Sequence, residues 1–150
     1  MFSLTTQYAI RAVVLLAYED EGLAVGNAVL AEKTQIPAAY LSKVLQGLVR
    51  SGIVASRRGV GGGFRLMKAP DSITLLDVVN AVEPIPRIKG CPLNLQSHRS
   101  RLCSVHARLD RAMAQVEEVL AGATIADLLR EPGRPRPLLE TVAFLNLPKA

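Results

Sequence analysis

Seven basic residues lie within one stretch of this 150-residue chain that contains no acid, residues 33–68. The nearest acidic residues are Glu32 before the stretch and Asp71 after it. The cations are Lys33, Lys43, Arg50, Arg57, Arg58, Arg65 and Lys68. Cations without neutralising neighbours can bind the phosphates of a nucleic acid, which supplies affinity without sequence information. The stretch therefore predicts a surface that faces DNA.

The composition of the whole chain agrees with an anionic partner. The formal net charge is +5 and the isoelectric point is about 9.6. Hydrophobic residues make up 49% of the chain, which is enough for one core. No apolar run reaches the ~20 residues of a membrane helix, and the N-terminal segment lacks the basic start of a signal peptide. We expect a cytoplasmic protein with no membrane partner.

A helix, a turn and a second helix precede a glycine-rich loop. Apolar residues at helical spacing predict helices over 27–34 and 38–51, and Gly52 is expected to end the second one. Strands are predicted over 53–57 and 64–67, so the loop between them forms the tip of a hairpin. This order is typical of a winged helix-turn-helix, in which the second helix enters the major groove of DNA.

Four further helices are predicted outside this unit. They cover about 5–21, with Thr5 or Thr6 as its cap, and then 75–82, 104–121 and 124–129. No hydrophobic period is visible over 85–102, which we interpret as a loop. The fold class is therefore mainly α with one small β-hairpin.

Two groups of side chains are candidates for DNA contact. The N-terminal part of a recognition helix meets bases or nearby phosphates, and the glycines of a wing allow close backbone approach. One wing arginine is predicted to enter the minor groove, where A·T segments concentrate negative potential, and Arg58 is favoured over Arg57. The predicted contact set is Ala39, Tyr40, Ser42, Lys43, Arg50, Arg57, Arg58, Gly59, Gly61, Gly62 and Arg65.

Other functions fit the same residues poorly. The glycine run 59–63 is not a nucleotide-binding loop, because Phe64 breaks the required spacing and the run lies between strands. The sequence shows no nucleophile–base pair and no paired carboxylates, so we predict that the protein is not an enzyme. A winged helix that binds protein as an adaptor is an alternative, and the acid-free stretch argues against it.

The chain resembles the Rrf-type family of bacterial winged-helix regulators typified by IscR, NsrR and CymR. The likeness extends over about residues 1–130. It is carried by LTTQYAIRAVVLLA, IPAAYLSKVLQGLVRSGIVASRRGVGGGFRL and ITLLDVVNAVE. The resemblance implies a homodimer held by the long helix, a palindromic operator on double-stranded DNA, and regulation by a cofactor or partner. We expect a repressor.

The predicted elements and the resemblance together divide the chain into four segments. They are a DNA-binding domain (1–84), a sensor loop with the cysteines (85–103), a long dimerisation helix with a short terminal helix (104–130), and a tail (131–150).

The resemblance also implies a sensor in the cysteine loop. Cluster-binding members carry three cysteines spaced six apart, and some carry a histidine three residues after the third. Cys91, Cys103 and His106 match the first cysteine, the third and the histidine, whereas Ser97 occupies the middle position. The fourth donor would be His98 or Gln7. Three interpretations stay open: a [2Fe–2S] cluster, a dithiol switch, or no cofactor and a protein or small-molecule effector.

Overall fold

The protein is described here by a computed structural model that covers residues 2–19 and 23–140. Within these ranges it is mainly helical with one antiparallel two-stranded hairpin, as the sequence predicts. The helices are α1 (Leu4–Tyr18), α2 (Asn27–Thr34), α3 (Ala38–Arg50), α4 (Leu75–Val82), α5 (Ser104–Ala121) and α6 (Ile125–Arg130). The strands are β1 (Val54–Arg57) and β2 (Gly63–Leu66).

The central element of the core is α1, which contacts α2, α3, α4 and α6. Its residues Ala9, Ala12, Val13 and Leu15 are fully buried. The predicted cap at Thr5 or Thr6 is wrong, because the helix begins at Leu4 and the side chain of Ser3 accepts the Thr6 N–H at 3.2 Å. A serine placed just before the first turn satisfies a backbone donor that the helix itself leaves unpaired.

Helices α2 and α3 form the helix-turn-helix. The bounds of α2 agree with the prediction, and α3 ends at Arg50, one residue before the predicted end. Gly52 adopts a φ of +74° and its N–H donates to the Val49 carbonyl at 3.0 Å, which confirms its role in ending α3. The turn between the helices contains Gln35 in the left-handed region, with a φ of +55°.

The hairpin, which we call the wing, is joined to the segment before α2. Val54 pairs with Leu66 and Arg57 pairs with Gly63. Two backbone hydrogen bonds of 2.8 Å connect Val25 and Phe64 as an additional antiparallel bridge. Strand β2 of the wing is thus fixed to the body by backbone contacts as well as by its own pairing with β1.

The short helix α6 packs against α1 and the turn that precedes α4. Thr74 and Thr124, each in a capping box, form an antiparallel bridge. The Ile125 N–H donates to the Ile73 carbonyl at 2.9 Å, and the Ile125 side chain is fully buried against the core. The division of the chain at 84, 103 and 130 remains a prediction, and residues 141–150 of the predicted tail lie outside the described ranges. In the described ranges, no helix combines the length and the apolarity needed to cross a membrane.

Candidate nucleic-acid interface and cysteine loop

An open cleft with a volume of about 490 Å³ separates α3 from the wing. Its lining residues are Ser42, Gln46, Val49, Arg50, Ser56, Arg57, Arg58, Gly63 and Phe64. The lining includes three arginines and contains no acidic residue. We call it the basic cleft. A concave surface with this charge has a positive electrostatic potential and therefore suits a phosphate-bearing ligand.

The sequence of α3 explains why its polar side chains reach this cleft. Ser42, Gln46 and Arg50 recur every four residues and therefore lie on one face of the helix. The opposite face contains the buried side chains Leu41, Val44, Leu45 and Leu48. Because that face is packed into the core, the polar row has to point away from it, toward the wing.

The tip of the wing has a backbone shape that requires glycine. Gly59 and Gly61 adopt φ angles of +93° and +71°, and the Gly62 N–H donates to the Gly59 carbonyl at 2.9 Å. A Cβ atom at Gly62 would lie 2.3 Å from the Arg57 carbonyl oxygen. These constraints give the tip one defined shape, from which the exposed Arg58 extends.

Some of the predicted DNA-contact residues line the basic cleft and others lie outside it. Four predicted side chains, Ser42, Arg50, Arg57 and Arg58, line the basic cleft. The other predicted side chains, Ala39, Tyr40, Lys43 and Arg65, are exposed but do not line it. Sequence reasoning did not include Gln46 or Ser56 in the contact set. The four-residue spacing from Ser42 through Gln46 to Arg50 is the signal that could have found Gln46.

Tyr40 also contacts α1. Its hydroxyl is 2.9 Å from the Thr5 hydroxyl, and its ring meets the Tyr8 ring edge-on with centroids 5.4 Å apart. Part of the side chain remains exposed, at 38%. Tyr40 therefore connects the start of α3 to α1.

The cysteine loop brings its four predicted donors together as two pairs. The Cys91 sulfur is 3.3 Å from Nδ1 of His98, and the Cys103 sulfur is 3.3 Å from Nδ1 of His106. Both cysteines are free thiols and are half-buried. The first pair closes the loop on itself, and the second lies at the start of α5.

These pairs do not converge into one ligand set. Among the described residues, no three histidine, cysteine or acidic side chains lie close enough together to hold a metal ion. The side-chain amide of Gln7 donates to the Phe2 carbonyl at 3.0 Å, within its own segment. An iron–sulfur cluster needs about four ligands around its irons. The arrangement within one chain therefore does not fit a [2Fe–2S] cluster.

An ion-pair network, which we call the Arg87 clamp, ties the start of the cysteine loop to α5. The guanidinium of Arg87 donates to both carboxylate oxygens of Asp110, at 2.8 and 2.7 Å, and to Glu117 at 2.7 Å. The Ile88 N–H donates to the same Asp110 carboxylate at 2.9 Å. The hydrogen bonds from Arg87 and then Ile88 lower the pKa of Asp110 to about 2, and Asp110 and Glu117 raise the pKa of Arg87.

A largely exposed row of apolar residues runs along α5. Val105, Leu109 and Val119 have 62%, 51% and 73% of their surface accessible. Ala112 and Val116 complete the row, which alternates steps of four and three residues. This is the spacing of a helix that packs along another helix in a coiled coil. We call it the α5 stripe.

Comparison with protein families gives one match that covers most of the chain. The model of the Rrf2 family, described as an iron-dependent transcriptional regulator, matches residues 2–131. A provisionally named HTH-type transcriptional regulator of Aquifex aeolicus is 32% identical over 132 residues, which cover 86% of this chain and 91% of the relative. Another from Azotobacter vinelandii is 30% identical and covers 84% of this chain and 78% of the relative.

Solved structures show the same fold. CymR of B. subtilis, a global cysteine regulator, matches with a TM-score of 0.68 and 26% identity, covering 85% of this chain and 95% of CymR. IscR of T. potens matches with a TM-score of 0.70 and 25% identity, covering 87% of each chain. The two curated relatives are named as transcriptional regulators, and the fold that the chain has in common with these structures is the winged helix described above.

Proposed function

Because the chain belongs to the Rrf2 family of DNA-binding transcription regulators, we propose that it binds a palindromic operator as a homodimer and represses transcription from it. The observation that supports DNA binding most directly is the basic cleft, where α3 and the wing present three arginines and no acid. Phosphate contacts by such arginines position a protein on DNA, while helix side chains distinguish the bases.

Helix α3 and the wing suggest two different contacts with DNA. The exposed face of α3, with Ala39, Tyr40, Ser42, Lys43 and Gln46, is proposed to enter the major groove. Arg50, Arg57 and Arg65 are proposed to bind phosphates. Arg58 extends from the tip of the wing, whose glycines Gly59, Gly61 and Gly62 let the backbone approach the DNA, and is proposed to enter the minor groove.

The α5 stripe supports the homodimer. Its exposed apolar residues would be buried if the same face of a second copy packed against it, as coiled-coil helices do. Leu109→Asp should therefore convert the dimer to a monomer in sedimentation analysis. Val29→Asp is the control, because Val29 is also exposed, at 42%, but lies on α2. A Leu109→Asp variant that sediments as a dimer would contradict the assignment of this interface.

A dimer with two recognition helices predicts the spacing of its operator. Half-sites should lie about one helical turn apart, ~10 bp or a multiple of it. The test starts from duplexes selected by the protein from a random pool, into which ~5 bp are then inserted between the half-sites. That insertion turns one half-site to the opposite face of the DNA and should abolish dimer binding, whereas an insertion of ~10 bp should restore much of it. Equal affinity for all spacings would contradict the dimeric mode.

The cysteine loop is the proposed site of regulation. The Arg87 clamp holds one end of the loop on α5, and the other end continues directly into that helix through Cys103. A change in the loop therefore has a physical route to α5 and to the distance between the two DNA-binding units. Thiol chemistry and a protein or small-molecule effector both agree with the two separate Cys–His pairs.

A [2Fe–2S] cluster would require a different arrangement of these donors, with Cys91, Cys103, His106 and a fourth group brought together. Anaerobic purification followed by iron and sulfide analysis and visible absorption spectroscopy separates the alternatives. A colourless, iron-free protein from cells that assemble clusters would favour thiol or effector control. A coloured protein with stoichiometric iron and sulfide would show that the loop rearranges around a cluster.

A further inference from the structure

Val60 at the wing tip is the most exposed large apolar side chain among the described residues, with a relative accessibility of 104%. It therefore makes no packing contribution to the body of the protein. An apolar side chain gains free energy when it is removed from water, and here that gain is available only through contact with another molecule.

The composition of the tip isolates this side chain. Residues 58–63 contain two residues with a side chain, Arg58 and Val60, and the other four are glycines. Nothing on either side of Val60 shields it, because Gly59 and Gly61 carry no Cβ atom. Whatever surface the tip meets will therefore meet the isopropyl group of Val60 together with the guanidinium of Arg58.

The backbone holds Val60 in a defined position. The glycine turn is closed by the hydrogen bond from Gly62 to Gly59, at 2.9 Å, and the strand that follows the turn is fixed by the Val25–Phe64 bridge. Valine is itself branched at Cβ and has restricted rotamers. A small, stiff apolar group on a fixed turn loses little conformational entropy when it is buried.

The minor groove of DNA is a surface where an exposed apolar side chain can bend the duplex. Its walls are formed by deoxyribose, which is largely apolar, and its width depends on sequence. Proteins that bind this groove insert apolar side chains between base steps, which unstacks the step and bends the duplex. Pyrimidine–purine steps deform most easily, so such a side chain also favours particular sequences.

We propose that Val60 is an apolar wedge that enters the minor groove beside Arg58, bends the operator and contributes to its sequence preference. This inference rests on the proposed function, in which the wing binds the minor groove. In this division of roles, Arg58 supplies the electrostatic attraction and Val60 supplies the deformation. The contribution of Arg58 to affinity should depend on salt concentration and that of Val60 should not, so an experiment can separate them.

The test compares Val60→Ala and Val60→Ser with the unmodified full-length protein on duplexes selected from a random pool. Affinity is measured over a range of salt concentrations, and bending is measured by circular permutation of the site. Val60→Ala should weaken binding roughly fifteenfold, because two methyl groups are no longer buried. It should also reduce the bend while leaving the slope of log K against log salt unchanged, because no charge is removed.

Met67→Ala is the matched control. Met67 is also apolar and exposed, at 54%, but it follows β2 at the base of the wing, away from the tip. It should bind and bend the duplex as the unmodified protein does. If Val60→Ala and Val60→Ser match Met67→Ala in affinity and bend, the wedge is contradicted although the proposed function stands. If the unmodified protein selects no duplex, the proposed function fails first.

Discussion

The wing and the cysteine loop are both irregular segments between regular elements, but different kinds of contact hold them. The wing is fixed by its backbone, through the bridge between Val25 and Phe64 and through glycines that leave no room for a Cβ atom. The cysteine loop is held by side chains, through the Arg87 clamp and two Cys–His pairs. Backbone contacts persist under most conditions, whereas protonation, oxidation or a ligand can break side-chain contacts. This difference suits a rigid DNA contact in the wing and a responsive element in the loop.

The largest effect should come from Gly63, the first residue of β2. In Gly63→Ala the new Cβ atom would lie 2.4 Å from the Val25 carbonyl oxygen, at a φ of +146° that alanine rarely adopts. We expect a loss of roughly 3 kcal/mol in the free energy of unfolding, measured by urea denaturation, because the wing must separate from residue 25.

Gly90→Ala is the corresponding change in the cysteine loop. A Cβ atom at Gly90 would have no neighbour within 4 Å, so the free energy of unfolding should change by less than about 0.5 kcal/mol. Equal losses for Gly63→Ala and Gly90→Ala would show that the two segments do not differ in backbone constraint.

The next effect concerns the arginine at the wing tip. Arg58→Ala should weaken binding to the selected operator about tenfold and relax its preference for A·T flanks, because the minor-groove cation is lost. Binding to duplexes that differ only in the flanks, measured by fluorescence anisotropy, checks both expectations. Arg101→Ala removes an exposed cation from the cysteine loop and should change neither quantity. Unchanged affinity and flank preference in Arg58→Ala would contradict the proposed minor-groove contact of Arg58.

A smaller effect is expected at the Arg87 clamp and should depend on pH. The pKa of Asp110 falls from an ordinary 3.8 to about 2 in the folded protein, because Arg87 and the Ile88 N–H bind its carboxylate. A depressed pKa stabilises the folded state above the unfolded value, and this stabilisation is lost as the pH falls through the folded pKa. The unfolding free energy of the protein should therefore exceed that of Asp110→Asn at about pH 5, and the difference should shrink toward pH 2.

Urea denaturation of both proteins across this pH range measures that difference. Glu131→Gln provides a comparison, because the Arg134–Glu131 pair has side chains that are 73% and 48% exposed, and such surface pairs contribute little. A difference between the protein and Asp110→Asn that stays constant with pH would mean that the clamp does not stabilise the fold through the Asp110 charge.

The smallest effect is predicted for Tyr40. Tyr40→Phe removes the hydrogen bond to Thr5 but keeps the ring against Tyr8, so stability should fall by about 1 kcal/mol or less. Operator affinity should stay the same, because the hydroxyl is bonded to Thr5 and the ring, which is proposed to face the major groove, is kept. A marked loss of affinity without loss of stability would instead show that the hydroxyl contacts DNA.

The sequence predicted the elements better than the contacts between them. The bounds of α2 and α5 agreed with prediction because local signals, apolar spacing and turn residues, define them. The Arg87 clamp could not be predicted from the sequence. Asp110 and Glu117 follow Arg87 by 23 and 30 residues, and nothing local in the sequence distinguishes this arginine from one that is free in solvent. The same limit applies to the cysteine loop, where the donors were identified by type but their separation into two pairs depends on the folded path.

The most direct measurement of the central claim, that the basic cleft binds DNA, is the salt dependence of DNA affinity for two triple variants. The first replaces Arg50, Arg57 and Arg58 with alanine, and the second replaces the exposed Arg99, Arg101 and Arg108 of the loop and α5. Each phosphate contact contributes about −0.9 to the slope of log K against log salt. The cleft variant should therefore have a slope shallower by roughly 2 to 3, while the loop variant keeps the slope of the unmodified protein. A flat response of the unmodified protein, or equal changes in both variants, would contradict the claim.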